Sequence, residues 1–435
     1  MAIEPRLYRG MRDFLPEEMM PREELLHTVR ETFRRWGFAP LATPAIEFKE
    51  ILAGKYGDMA DRLIYSLEHK SGLALRYDLT VPLARAVATY GDKLPTPFKR
   101  YQIQEVWRAE RAQPQQGRFR EFLQCDVDTV GTDSLVADGE ILALSVKLLS
   151  DLGFPNAITK LNHRALLRGL MDISKFPNES EAEVCRIIDK LDKIGKSGVH
   201  EEFIAAGYPE SCIETMFELI LRTGNNEELL SFVSEKYGNN ERISRGVKEI
   251  RQAIKYAVDF GVPPESLKLD LSLARGLDYY TGTIFESYNP EQPHIGSLTG
   301  GGRYDNLIGL FTDKKAPAVG VTIGLDRIFA ALSDAGRIES RQSPTRVLVT
   351  VFDEKLLPDS IVLATRIRDA GIPSEVYFEP RRMKHQFSYA DKLNIPYVAI
   401  LGENEINKGV VALKDMTTGE QEELMFEEII ERLKS

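Results

Sequence analysis

Strand-like segments stand on both sides of a stretch whose hydrophobic pattern is helical throughout. That stretch covers residues 160–265, is strongly charged, and repeats its apolar residues at helical spacing. Strand signals return after it, at 267–273 and 283–288. We therefore interpret 160–265 as a helical insertion in a chain that otherwise mixes strands and helices.

The part of the chain before the insertion predicts both element types. An amphipathic helix at 17–36 ends at Gly37, the residue type that most readily follows a helix. The next predicted elements are a strand at 38–48, a hairpin of 62–67 with 73–77, a helix at 79–90, and two long strands at 98–107 and 119–130. Because Pro44 cannot donate a hydrogen bond to a sheet, we expect the 38–48 strand to lie at a sheet edge or at an interface.

The part after the insertion predicts a second domain. A strand signal at 318–325 runs into a helix that starts near Asp326, and the polar residues 334–344 indicate a linker. Beyond the linker, strands are predicted at 346–351, 375–378 and 397–401, and helices at 360–370, 384–393 and 427–433. This alternation predicts a small separate α/β domain with largely parallel strands.

Composition and charge limit the possible functions. Of 435 residues, 43% are hydrophobic and 28% are charged, which is ordinary for a globular protein. The formal net charge of −10 excludes a globally basic nucleic-acid binder but not a local basic patch. Three scattered cysteines are too few for a disulfide framework or a zinc site. The sequence has neither a secretory signal nor a run long enough to span a membrane, so we expect a cytoplasmic protein with no membrane partner.

The most informative segment is residues 99–122, in which the run 99–120 has six basic and two acidic residues and therefore a local balance of +4. Arginine binds phosphate oxygens with two parallel N–H groups, and aromatic rings stack on bases. The candidate nucleotide-binding side chains in this run are Arg108, Glu110, Arg120 and Phe122. An exposed hairpin with solvated charges would explain the same run equally well.

A second candidate segment is 274–282, in which Arg275 precedes the paired Tyr279 and Tyr280. An arginine and tyrosine hydroxyls near a strand end suit a polar ligand that carries an anionic group. A turn between two strands, with its aromatic residues in the core, is equally possible for this segment taken alone.

Two further segments contain glycines. In 300–305 (Gly-Gly-Gly-Arg-Tyr-Asp) the glycines permit positive φ or the close approach of a ligand, although a tight turn would also use them. In 320–327, Arg327 falls in the first turn of a predicted helix. A cation is unfavourable there because of the helix dipole, and an anion such as a triphosphate tail would justify it.

Together these segments resemble the histidyl-tRNA synthetases, a family of class II aminoacyl-tRNA synthetases, over essentially the whole chain. The helix with Gly37 and Pro44 resembles class II motif 1, residues 107–122 resemble motif 2, and 320–327 resemble motif 3. Residues 275–282 (RGLDYYTG) and 300–305 (GGGRYD) resemble the two histidine-specific signatures.

The fold that the resemblance implies is α+β: a class II antiparallel-sheet catalytic domain with a helical insertion, followed by a C-terminal α/β anticodon-binding domain. The expected segments are 1–159 and 266–333 for the two parts of the catalytic domain, 160–265 for the insertion, and 345–435 for the anticodon-binding domain.

The resemblance also implies a role for individual residues. The implied histidine contacts are Asp78, Thr80, Arg108, Gln124, Asp128, Arg275, Tyr279 and Tyr280. The implied ATP contacts are Arg108, Glu110, Arg120, Phe122 and Arg327, with Mg²⁺ accompanying ATP and no metal bound by the protein alone. Arg275 and Arg108 are the residues expected to stabilise charge at the α-phosphate. Without the other motifs, Asp78 would be interpreted as a cap of the helix at 79–90.

The activity that the resemblance implies is ATP-dependent ligation of L-histidine to tRNA(His) through a histidyl-adenylate, carried out by a homodimer. Two alternatives remain at this point. One is a non-catalytic, synthetase-like regulatory subunit of ATP phosphoribosyltransferase, although such relatives typically lack the C-terminal domain and lose the signatures, both of which this chain keeps. The other is a purely RNA-binding module, which would not need both Arg275 and Arg327.

Overall fold

The structure is a computed structural model that describes residues 3–53, 63–114, 117–274, 279–339 and 342–434. The chain divides into two compact units. The first consists of Met1–Arg12 with Leu25–Arg337, and the second consists of Asp13–Glu24 with Ile338–Ser435. Within the described ranges, no helix is long and apolar enough to cross a membrane.

The helices follow the apolar periodicity of the sequence. They are α1 (Pro16–Arg35), α2 (Lys49–Ala53), α3 (Thr80–Tyr90), α4 (Leu135–Asp151), α5 (Arg164–Ile173), α6 (Glu181–Ile188), α7 (Leu191–Ala205), α8 (Glu210–Ile220), α9 (Asn226–Tyr237), α10 (Glu241–Asp259), α11 (Leu325–Asp334), α12 (Leu357–Asp369), α13 (Met383–Lys392), α14 (Glu403–Lys408) and α15 (Phe426–Lys434).

The strands form three sheets. They are β1 (Ala39–Pro40), β2 (Ile46–Phe48), β3 (Tyr65–Ser66), β4 (Leu73–Leu75), β5 (Phe98–Trp107), β6 (Glu121–Val130), β7 (Ile158–His163), β8 (Leu267–Leu269), β9 (Thr283–Tyr288), β10 (Ser297–Arg303), β11 (Ala318–Ile323), β12 (Val347–Val349), β13 (Ser374–Val376), β14 (Tyr397–Ile400), β15 (Val411–Asp415) and β16 (Gln421–Leu424).

The large sheet of the first unit has the order β1-β5-β6-β11-β10-β9-β7-β8. Its central strands are antiparallel to their neighbours, and its two outermost pairs, β1 with β5 and β7 with β8, are parallel. Strands from before and after the insertion therefore meet in one sheet, which confirms the predicted antiparallel-sheet fold with helices inserted between its two parts.

Helices α5 to α10 fill the inserted stretch and share an apolar core. That core includes Leu166, Val184, Phe203, Ile213 and Val247, all of them buried. Asn240 caps α10 because its side-chain oxygen accepts hydrogen bonds from the backbone N–H groups of Arg242 and Ile243.

Two element predictions in the first unit are wrong in detail. Residues 38–48 do not form one strand, since β1 lies at the edge of the large sheet and β2 belongs to a separate sheet with β4 and β3. Pro40 occupies the edge strand, whereas Pro44 lies between the two strands and in neither. The helices of the inserted stretch begin at Arg164 rather than at 160, because Ile158–His163 forms strand β7.

The second unit contains a mixed sheet of order β13-β12-β14-β15-β16. Strands β13, β12 and β14 are parallel, as the alternating pattern predicts. Strands β15 and β16 are antiparallel additions that the sequence interpretation missed. The sheet has its own core with helices α12 and α15, which includes Val347, Leu363, Ile367, Leu413 and Ile429.

Candidate active site

A cavity of about 420 Å³ in the first unit brings together most of the predicted site residues. Strands β6, β10 and β11 and the starts of α3 and α11 contribute to its wall. The predicted residues that line it are Asp78, Thr80, Arg108, Glu110, Phe122, Gln124, Tyr279, Tyr280 and Arg327. Residues from sequence-distant motifs thus converge on one concave site, which is the arrangement of a ligand-binding centre.

Asp78 is a buried carboxylate at the wall of this cavity. Its Oδ1 accepts a hydrogen bond of 3.3 Å from the backbone N–H of Val81, whereas no described residue donates to the buried Oδ2. Burial is the main cause that raises the pKa of Asp78 from 3.8 to about 6, and the nearby Arg108 opposes the shift. The residue therefore binds the backbone of the first turn of α3, as the capping interpretation proposed, and its second carboxylate oxygen accepts no hydrogen bond from the described residues.

The paired tyrosines combine both roles that the sequence left open. Tyr279 and Tyr280 line the cavity, and they also pack in a core cluster with Tyr304 and Leu83. Their ring centroids lie 4.8 Å apart, and their hydroxyl groups connect in a hydrogen-bonded chain that includes Thr80. Burial raises the pKa of both tyrosines, so both hydroxyls keep their protons at neutral pH.

Arg108 lines the cavity, where it contacts Gln124 and Phe122. Its Nε donates a hydrogen bond of 3.0 Å to the carbonyl oxygen of Tyr77, and one terminal nitrogen lies 3.5 Å from Oε1 of Gln124. The guanidinium also stands over the ring of Phe122, 5.1 Å from its centroid. These contacts fix a planar cation at the cavity wall, where it can bind a carboxylate or a phosphate.

The start of α11 contributes Arg327, which lines the cavity and donates a hydrogen bond of 2.7 Å to the carbonyl oxygen of Ser297. The preceding Asp326 forms an ion pair with Arg12, whose guanidinium lies 3.6 Å from the ring centroid of Phe119. The N-terminal segment therefore helps to hold this side of the cavity in place.

The glycine run 300–302 lies within strand β10 rather than in a tight turn. A Cβ at Gly302 would approach the carbonyl oxygen of Thr283 to 2.5 Å and the ring of Tyr280 to 3.0 Å. At Gly300, which lines the cavity, the nearest atom would be 4.0 Å away. These glycines therefore make room for Tyr280 and leave space for a ligand beside the strand.

Gly320 has a different function. On β11 it pairs with Asp128 of β6, and a Cβ there would lie 1.9 Å from the Asp128 carboxylate. Its missing side chain gives Asp128 the space to form a buried ion pair of 2.8 Å with Arg100 and to accept a hydrogen bond from Tyr304.

Three predicted residues do not line the described cavity. Asp128 lies beneath the wall, where Arg100 and Tyr304 bind it. The Arg120 side chain is half-buried and donates to the backbone oxygens of Glu110 and Arg9. Arg275 lies outside the residues that the structure describes.

Sequence reasoning missed the polar layer beneath the cavity. Register pairs on β5 and β6 place Gln102 opposite Asp126 and Gln104 opposite Gln124. Gln102 and Asp126 are almost completely buried. Polar residues at every second position of both strands could have indicated this layer. Such a pattern ordinarily indicates the side of a strand that faces solvent.

Comparisons with known proteins fit this geometry. A family model described as histidyl-tRNA synthetase matches residues 10–328, and one described as anticodon binding domain matches residues 346–435. The chain belongs to the histidyl-tRNA synthetase family. A protein of Rhodopirellula baltica named histidine–tRNA ligase is 43% identical over 98% of this chain and 96% of its own length. The crystal structure of histidyl-tRNA synthetase from Nostoc sp. PCC 7120 has a TM-score of 0.89 at 32% identity, covering 100% of this chain and 99% of that one.

Membership in the histidyl-tRNA synthetase family makes the chain a class II aminoacyl-tRNA synthetase that ligates histidine to tRNA with ATP. A structure from Bacillus halodurans described as an ATP phosphoribosyltransferase regulatory subunit/histidyl-tRNA synthetase has a TM-score of 0.73, covering 89% of this chain and 97% of that one. At 23% identity that likeness shows the shared fold alone, so the regulatory alternative is not favoured.

Proposed function

We propose that the cavity binds histidine and ATP side by side and forms histidyl-adenylate there. The observation that supports this most is the convergence of nine predicted residues on one cavity, with buried acceptors at one end and arginines along the wall. The ammonium group and the imidazole of histidine need hydrogen-bond acceptors, and a triphosphate needs arginines.

At the histidine end, the free oxygen of Asp78 and the hydroxyl of Thr80 are suited to the substrate ammonium group. Tyr279, Tyr280 and Gln124 offer donors and acceptors to the imidazole. Asp128 contributes from beneath the wall, since it orients Tyr304 and neutralises Arg100.

At the ATP end, we propose that Phe122 stacks on adenine and that Glu110 contacts the nucleotide. Arg120, which does not line the cavity, stays a predicted ATP contact. Arg327 is assigned to the outer phosphates. Arg108 is assigned to the histidine carboxylate and the α-phosphate, together with Arg275. The substrate carboxylate is already a nucleophile, so the protein contributes positioning and charge neutralisation rather than a general base.

The divalent ion that ATP-dependent ligation needs is proposed to be Mg²⁺. Such an ion binds through one or two carboxylates together with substrate phosphates. No cluster of three or more ligating side chains occurs among the described residues, while Glu110 and Glu286 offer carboxylates at the cavity. This donor set fits an ion held mainly by ATP, which would supply positive charge at the phosphates.

Histidine-dependent exchange of pyrophosphate into ATP tests the adenylation proposal directly. We expect exchange that saturates with histidine and requires a divalent cation, followed by transfer of the adenylate to tRNA. Exchange that is absent, or independent of histidine, would contradict it.

The remaining partners follow from the same function. Residues 345–435 are proposed to bind the anticodon arm of tRNA(His), and 160–265 remain the proposed insertion domain between 1–159 and 266–333. The cytoplasm is the proposed location, since tRNA is charged there for protein synthesis.

We also propose a homodimer built on residues 17–48. In support, β2 lies at the edge of its sheet, where Ile46 and Phe48 are exposed by about half. Unpaired edges and exposed apolar side chains commonly mark subunit contacts. We expect a dimer by sedimentation at micromolar concentration and moderate salt, and a lone monomer under those conditions would count against this assignment.

Asp78→Asn should stabilise the fold at pH 7 and weaken histidine binding. Because the pKa of Asp78 is about 6 in the folded chain and near 3.8 when unfolded, its stabilising contribution is present below pH 3.8 and lost as pH rises through 6. At pH 7 the charged form costs on the order of 1–3 kcal/mol. Asparagine removes that cost and still accepts from Val81.

Urea unfolding at pH 7 and at pH 4, with the histidine KM in exchange, measures both effects. The gain in unfolding free energy should be larger at pH 7 than at pH 4, and the histidine KM should rise about tenfold or more. A variant that is less stable at pH 7 and has an unchanged histidine KM would show that Asp78 acts only as a structural cap.

A further inference from the structure

We propose that Asp126 is a positioning residue for the histidine site, because it holds the Gln124 side-chain amide with its oxygen toward the cavity. This inference rests on the proposed histidine binding by Gln124. It concerns a residue outside the cavity wall, and it assigns that residue an effect on amino-acid recognition rather than on ATP.

The contacts of Asp126 define this role. Nε2 of Gln124 donates to both of its carboxylate oxygens, at 3.0 and 2.9 Å. The hydroxyl of Thr322, which faces Asp126 across the β6–β11 pairing, forms another hydrogen bond with it. Only 1% of Asp126 is exposed, and it does not line the cavity, whereas its partners Gln124 and Thr322 do.

The consequence for Gln124 follows from its chemistry. An amide can present either an acceptor oxygen or a donor NH₂, and rotation about its last bond exchanges the two. With the NH₂ group bound to Asp126, Oε1 lies on the side of Arg108, 3.5 Å from a guanidinium nitrogen. The cavity therefore receives an acceptor at this position, which suits an imidazole N–H or an ammonium group.

The electrostatic cost of burying Asp126 argues against the view that its side chain only fills space in the core. A buried carboxylate is costly unless it is well paired. The groups that donate to Asp126 within the described residues are neutral, since Arg100, the nearby cation, forms its ion pair with Asp128. Burial raises the pKa of Asp126 to about 7, and Asp128 adds to the shift. A carboxyl group buried at this cost has a use if its two oxygens, which both accept from Nε2 of Gln124, fix the orientation of that amide.

Asp126→Asn tests the inference, because asparagine has the same shape and can accept or donate with either orientation of Gln124. We expect the histidine KM in pyrophosphate exchange to rise about tenfold while the ATP KM stays within about twofold. In the exchanged pair, Gln124→Glu with Asp126→Asn, the new asparagine donates its NH₂ group to the new glutamate. The other carboxylate oxygen of that glutamate then presents an acceptor to the cavity, as Oε1 of Gln124 does in the unmodified chain. This double variant should recover a large part of the loss.

Asp138→Asn is the matched control. Asp138 is equally buried in the same unit, but it pairs with Arg303 and does not line the cavity. We expect it to lower the free energy of unfolding without separating the two KM values.

Three outcomes would overturn the positioning role: an unchanged histidine KM, equal changes in both KM values, or no recovery in the double variant. Equilibrium dialysis with histidine alone keeps the test valid if a variant turns over too slowly. Saturable histidine-dependent exchange by the unmodified chain would leave the proposed function standing even if Asp126 proved unimportant.

Discussion

Arg108→Ala should lower the rate of histidine-dependent pyrophosphate exchange by about 10²–10³-fold, the loss that follows removal of one preorganised charge contact from an active site. The guanidinium is held by the carbonyl oxygen of Tyr77 and the ring of Phe122, so its position is fixed before substrate binds. In the proposed reaction it meets the nucleophilic carboxylate and the α-phosphate together, where negative charge concentrates as the new bond forms.

Two variants sharpen this test. Arg108→Lys keeps the charge but not the planar fork, and we expect a rate between those of the alanine variant and the unmodified chain. Arg251→Ala removes a half-buried arginine that pairs with Glu227 on the helical insertion, and it should leave exchange unchanged. Near-normal exchange in a folded Arg108→Ala protein would show that Arg108 has no part in adenylation.

The elements predicted best from the sequence are those with a distinct local composition. Residues 98–107 and 283–288 have the bounds predicted for them, since aromatic and β-branched residues recur along both segments. The site residues near each other in sequence were found through motifs. Their convergence from α3, β6, β10 and α11 on one cavity is a property of the sheet order, which local patterns do not contain.

The features that were missed have physical causes. Asp126 and Gln102 follow a polar alternation that ordinarily marks solvent, and only the cover provided by other elements buries them. Strand β16 is rich in charged and polar residues, and it exists because its backbone pairs with β15. The segment 38–48 divides because its two ends pair with different sheets, a tertiary effect that no short-range signal reports.

Ending the chain after Arg337 should leave histidine-dependent exchange within about threefold of normal and reduce kcat/KM for tRNA charging by about two orders of magnitude, equivalent to about 3 kcal/mol of lost binding. All described residues that line the cavity precede this point. The segment after it has a core of its own, formed by residues such as Val347, Leu363 and Ile429. Its loss should therefore remove anticodon contacts rather than adenylation groups.

The competing explanation is that this segment only stabilises the catalytic unit or the dimer. Under that explanation truncation would reduce exchange and charging by the same factor. Because Asp13–Glu24 groups with the second unit, the truncated protein must first be shown to be folded by urea unfolding and to match the full chain in sedimentation. The ratio of the two rates then decides: a selective loss of charging supports RNA binding by residues 345–435, and an equal fall in both rates refutes it.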